Sequence, residues 1–177
     1  TSRVIAEIVK VLKNVLPDIV LVQGDTTTVM AVSLVAFYNK IPVGHVEAGL
    51  RTDDIFSPFP EEMNRRITTL AANYHFAPTE AARQALLKES VSDSGVFVTG
   101  NPVIDALKMT LKKPVPQKTS FLLKQAGVIP GSHGKKLILI TAHRRENFGE
   151  GIKNICNGIK NLIERNDDLA AVYPVHL

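Results

Sequence analysis

An alternation constrains this chain more than any other feature: short, continuously apolar runs, each followed by a polar break and then a stretch of helical periodicity. Apolar runs at 19–22, 42–46, 74–77 and 96–99 are separated by helical patterns at 29–39, 61–72, 79–88 and 103–111. A further helical pattern precedes them from Ser2 to Leu16, with Ile5, Ile8, Leu12 and Val15 among its apolar positions, and Pro17 ends it. Strands separated by helices do not pair as tight hairpins, so the pattern predicts an α/β fold with a parallel sheet. The β-branched run at 19–22 shows no alternation, which predicts a strand covered on both faces. Right-handed crossovers put the C-terminal ends of all strands on one edge of the sheet, where ligands of such folds bind.

The polar residues select those ends. Gly24 and Asp25 follow the first strand, Glu47 the second, Pro78 and Thr79 the third, and Gly100 and Asn101 the fourth. Thr26 to Thr28 offer N-cap hydroxyls to the next helix. Between Glu47 and Glu61 runs a loop bearing glycine and proline, with Arg51, Asp53 and Asp54. Carboxylates held by rigid elements beside a loop suit acid/base chemistry. Glu61 and Glu62 also suit the positive end of a helix, and Glu47 the loop backbone.

Residues 112–118, KKPVPQK, have no apolar periodicity and read as a linker. Beyond them come a helical stretch at 119–126, a strand at 136–141, a helix at 151–166 and a last strand at 170–173. This second layer begins without finishing, and the chain opens abruptly inside a helical pattern, so the expectation is a fragment. His143, Arg144 and Arg145 form the densest cationic group at any strand end; arginine forks match phosphate oxygens and the imidazole titrates near neutrality. His45 reads as structural or supporting, and His75 as a core histidine.

Composition narrows the function classes. A net charge of +4 and a pI near 9.2 favour anionic ligands. Basic residues are scattered, aromatics are 6% and Trp is absent, so no stacking platform for nucleic acid is visible. No apolar run reaches the ~18 residues of a membrane span. Cys156, the only cysteine, reads as a small core residue, which excludes an internal disulfide and points to reducing cytoplasm. No set of histidines or acids has zinc-site spacing.

Six strings occur in order: GDTTT at 24–28, HVEAGLRT at 45–52, PFPEEMNR at 58–65, TGNPVIDAL at 99–107, HRREN at 143–147 and YPVH at 173–176. Together they resemble the bacterial non-hydrolysing UDP-N-acetylglucosamine 2-epimerases over essentially the whole chain. The resemblance implies two Rossmann-like domains of GT-B type, truncated here at both ends. Residues 1–111 would be the C-terminal part of the first domain, 112–118 the linker and 119–177 the start of the second. It implies interconversion of UDP-GlcNAc and UDP-ManNAc for surface polysaccharide synthesis, in a cytoplasmic homodimer that needs no cofactor or metal. Asp25, Glu47, Glu61 and His143 match positions implicated in catalysis. Arg144 and His176 match nucleotide-sugar contacts, and Arg51, Arg145 and Asn101 complete the expected substrate-binding set. An allosteric site for UDP-GlcNAc would share Glu61, Arg144 and His176. The alternatives are a GT-B glycosyltransferase and a non-catalytic nucleotide-sugar-binding module. The fragment alone is expected to be weakly active or inactive and prone to associate.

Overall fold

The computed structural model describes residues 1–52, 54–129, 134–142 and 147–174. The chain divides into two compact units, Thr1–Lys108 and Met109–Leu177.

The first unit opens with helix α1 (Ser2–Val15), which ends where Leu16 turns left-handed (φ 49) and its N–H bonds Leu12 O, ahead of Pro17. Strand β1 (Val20–Gln23), helix α2 (Thr27–Tyr38), strand β2 (Val43–Val46), helix α3 (Glu61–Ala71), strand β3 (Tyr74–Ala77), helix α4 (Glu80–Lys88) and strand β4 (Val96–Val98) follow. The strands form one sheet in the order β1-β2-β3-β4, and every neighbouring pair is parallel. Thr26 Oγ1 accepts from Val29 N at 3.3 Å and Thr79 Oγ1 from Ala82 N at 3.2 Å, so side-chain caps start α2 and α4 just past a strand end.

The core lies on one face of this sheet. Val22 and Val43 pack with Leu12, Val29, Val35 and Ala36 from α1 and α2. Ala77 and Val96 pack with Ala48 and with Ala82 and Leu86 of α4. These strand residues share one parity. On the other parity Leu21 is 64% exposed and Phe97 44% exposed, while Gly44 is buried and Phe76 half-buried. The expectation that the first strand is covered on both faces is therefore corrected for the described residues. A sheet whose strands follow chain order takes all its right-handed crossovers on one side.

Small residues bring α4 close to the loop after β2. A Cβ added to Gly49, whose φ is +86, would lie 2.3 Å from Ala82 O. Position 49 therefore admits neither a side chain's volume nor its backbone preference.

Helix α5 (Pro102–Leu111) spans the boundary between the units. Residues 112–116 are exposed and carry no helix or strand. Helix α6 (Gln117–Gln125) begins two residues inside the stretch read as linker, because Pro116 at its N-cap (φ −58) leads directly into the helix. In the second unit β5 (Lys136–Leu139) pairs parallel with β6 (Leu169–Val172), and α7 (Glu150–Glu164) connects them. Tyr173 Oη donates to Ala142 O, tying the ends of the two strands together. Cys156, expected in the core, is exposed on α7. Among the described residues no helix is long and apolar enough to cross a membrane.

Gly49→Ala should lower the unfolding free energy by about 3 kcal/mol, since it adds overpacking to a strained φ. Gly100→Ala, with φ +81 but nothing within 4 Å of the new Cβ, should cost about 1 kcal/mol. Urea unfolding of the two variants measures the difference.

Candidate active site

The strand ends carry the acids as the chain order requires. Gln23 and Val46 are register partners, so Asp25, two residues beyond Gln23, and Glu47, one beyond Val46, leave adjacent strands on the same edge. Gly24 N donates to Val46 O at 3.1 Å, which continues the β1–β2 pairing into the turn. Glu61 is the first residue of α3 and Asn101 directly precedes α5. Asp25, Glu47, Glu61 and Asn101 are all half-buried.

Asp25 is held from α3. Arg65 Nη1 reaches Asp25 Oδ2 at 2.8 Å, and Asn64 Nδ2 donates to Asp25 O at 2.9 Å. Arg65 is in turn held by Glu62, whose side chain is fully buried: Arg65 Nη2 lies 2.8 Å and Arg65 Nε 3.0 Å from Glu62 Oε2. The other oxygen, Oε1, accepts from Arg66 Nε at 2.9 Å. Oε2 also accepts from Thr52 N at 3.2 Å, so the same carboxylate anchors the loop after β2. Glu62 was not among the expected site residues. Its signal was present as the spacing Glu62, Arg65, Arg66, which puts both guanidinium groups on the acid's side of a helix.

Glu47 has a left-handed backbone, φ 69. A β-unbranched but long side chain is uncommon there, and such strain concentrates at functional positions. Among the described residues, no hydrogen bond or ion pair is formed by the carboxylates of Glu47 and Glu61. Two acids on the rim are thus uncommitted, while a third is fixed by an arginine.

Arg51, expected to bind substrate, turns elsewhere. Its Nε and Nη2 meet the two oxygens of Glu89 at 2.7 and 2.8 Å, Nη2 also reaches Thr69 Oγ1 at 2.7 Å, and Nη1 donates to Leu50 O at 2.8 Å. It clamps the loop to the far ends of α3 and α4. Asn101 Oδ1 accepts from Val103 N at 3.0 Å and so caps α5, with Pro102 in the first helical position. His143, Arg144, Arg145 and His176, with Asp53 of the loop, lie outside the described residues.

Two histidines sit beneath the rim as register partners on β2 and β3, His45 fully buried and His75 2% exposed. His45 Nε2 donates to Gly24 O at 2.8 Å. Burial pushes its imidazole below the ordinary range, reinforced by Arg51 and opposed by the Gly24 bond and Asp25. Burial, with the neighbouring His45 and Arg51, takes His75 from 6.5 down to about 4. Among the described residues no cluster of three or more His, Cys, Asp or Glu is arranged to hold a metal ion.

Glu62→Ala leaves Nε and Nη2 of the buried Arg65 guanidinium and the Thr52 N–H without their acceptor, and should cost about 3–5 kcal/mol in urea unfolding. For His75 the folded value is depressed, so its stabilising contribution is complete above 6.5 and is lost as pH falls toward about 4. Between pH 7 and pH 5 this removes about 2 kcal/mol. Unfolding midpoints across that window should fall less steeply in His75→Leu.

The family profile described as UDP-N-acetylglucosamine 2-epimerase matches residues 1–177. The UDP-N-acetylglucosamine 2-epimerase of Escherichia coli strain K12 is 49% identical over 178 residues, which cover 100% of this chain and 47% of that protein. The crystal structure of UDP-GlcNAc 2-epimerase from Neisseria meningitidis bound to UDP-GlcNAc superposes with a TM-score of 0.89 at 49% identity, covering 99% of this chain and 47% of that one. The Methanocaldococcus jannaschii UDP-GlcNAc 2-epimerase, in complex with UDP-GlcNAc and UDP, gives a TM-score of 0.79 at 39% identity, covering 99% and 46%. The parallel α/β sheets thus have the fold of the GT-B-type epimerases, and the chain spans about half the length of the curated relatives it matches. The chain belongs to the UDP-N-acetylglucosamine 2-epimerase family.

Proposed function

We propose that this chain contributes catalytic acids to the reversible interconversion of UDP-GlcNAc and UDP-ManNAc. The observation that carries the reading is the set of three acids on one rim: Asp25 fixed by Arg65, with Glu47 and Glu61 free of partners among the described residues. Epimerisation at sugar carbon 2 needs a base on one face of the ring and a proton donor on the other. In this reaction a base takes the carbon 2 proton while the carbon 1 to oxygen bond breaks, and the electron pair of that bond leaves with UDP. The carbon 2 to proton pair becomes the double bond of a 2-acetamidoglucal. UDP then adds back to carbon 1 as carbon 2 is protonated from the opposite face. Uncommitted carboxylates suit both transfers, since they accept or return a proton without first breaking an ion pair.

His143 joins the acids in this reading, while Arg144, Arg145 and His176 take the anionic nucleotide sugar, which arginine forks match. Asn101 stays among the substrate contacts, since it caps α5 through Oδ1 alone, whereas the Arg51 guanidinium is engaged by Glu89 and Thr69. A second UDP-GlcNAc acting as activator through Glu61, Arg144 and His176, a homodimer, a cytoplasmic location and a domain boundary at 112–118 belong to the same proposal.

Proton NMR of UDP-GlcNAc with the full-length protein in heavy water tests it. Loss of the carbon 2 proton signal with appearance of the mannose-configured product is expected, and Glu47→Gln should slow the exchange about 100-fold or more. Sugar transfer to an added acceptor, or ligand binding without exchange, would overturn the reading in favour of a transferase or a binding module.

A further inference from the structure

The turn that carries Asp25 begins at a glycine. Gly24 has φ +82, with nothing within 4 Å of where a Cβ would lie. The space beside its Cα is open, and glycine leaves such a conformation more readily than any other residue. The two peptide planes flanking Gly24 set the direction in which Asp25 projects. Both are tied to β2: Gly24 N–H donates to Val46 O at 3.1 Å, and Gly24 O accepts from His45 Nε2 at 2.8 Å.

The first of these bonds is the ordinary continuation of a parallel ladder. The second is made by a side chain. His45 is the only residue of β2 with a polar side chain, and it is fully buried on the helix-covered face, where Val22 and Val43 are aliphatic. A carbonyl only accepts, so Nε2 carries the proton. Nδ1 is then the bare nitrogen, and it is buried without a hydrogen-bond partner. A ring placed solely to fill the core would gain nothing from that polar atom; the bond to Gly24 O gives it a task.

Resting on the epimerase reading above, we infer that His45 is a positioning residue: as the neutral Nε2–H tautomer it fixes the Gly24 carbonyl and thereby aims the Asp25 carboxylate. The hold is complementary to that from α3. Arg65 and Asn64 fix Asp25 at its Oδ2 and its carbonyl, whereas His45 fixes the peptide that precedes it. With the imidazole bond removed, Arg65 still attracts the carboxylate but the backbone behind it is free to turn, so the acid is retained and misaimed. Burial pushes the imidazole below its ordinary range, which favours the neutral ring that a bare Nδ1 requires.

Two measurements on the full-length protein test this. In long-range 15N–1H correlation spectra, the His45 ring should show the Nε2–H tautomer; an Nδ1–H tautomer would overturn the inference. In UDP-GlcNAc epimerisation assays, His45→Phe should keep the ring's volume, lose the donor and lower kcat about 10- to 100-fold, as small misplacements of a reacting group do, with KM within about threefold. His45→Gln, whose amide nitrogen can replace Nε2, should restore kcat to within about threefold of the parent protein by the same logic. A purely structural histidine would instead give His45→Phe protein of lowered thermal stability and parental kcat, and that result, or absence of rescue by glutamine, sinks the proposal. If His45→Phe does not fold, the tautomer and the glutamine variant decide. Absence of exchange in the parent protein counts against the epimerase reading alone, because the tautomer is read without turnover.

Discussion

The rim of the first unit depends on one buried charge. Glu62 is fully enclosed, yet it accepts from Arg65, Arg66 and the backbone of Thr52. Such ion pairs often add little net stability compared with apolar residues of similar shape, since both charges must be desolvated. Their effect lies in geometry. Glu62 joins the start of α3 to the loop after β2, and through Arg65 it joins both to the turn after β1. Three segments that are distant in the chain are thus referred to a single carboxylate, and the rim's three acids, Asp25, Glu47 and Glu61, sit on the segments it ties together.

Around that anchor the packing is made of small side chains. Ala48, Ala77 and Ala82 are buried together, and Gly49 lies against the backbone of α4. Close approach of helix, loop and strand leaves little room for adjustment, because interiors at crystal-like density transmit displacements rather than absorb them. The Arg51 bonds to Glu89 and Thr69 fasten the same loop at its other side. The loop that leaves Glu47 is therefore pinned at Thr52 by α3 and at Arg51 by the end of α4.

What the amino-acid order reveals here is which element each residue belongs to. The run at 74–77 coincides with β3, and helical periodicity marks α1 to α4 to within about two residues, the usual uncertainty of helix ends. Asp25, Glu47 and Glu61 could be placed on one edge from topology alone, since parallel strands leave no other choice. Where long side chains end could not be read. Arg51 follows a strand end, as a ligand contact would, yet its flexible stem carries the guanidinium to Glu89. Glu62 and Glu61 look equivalent at a helix start, and a rotation of one residue, about 100° on a helix, separates a buried anchor from an uncommitted acid. The open face around Leu21 and Phe97 escaped for a different reason: a continuous apolar run reports hydrophobicity, and coverage depends on which side the crossovers take.

Under the proposed function, the left-handed backbone at Glu47 sets stability against activity. Glycine or asparagine at this position would relax a conformation that glutamate adopts at some energetic cost, while removing a carboxylate from the rim. Selection for thermal robustness alone would therefore favour replacing the acid, and only selection for turnover would keep it, a conflict common at sites that work under strain.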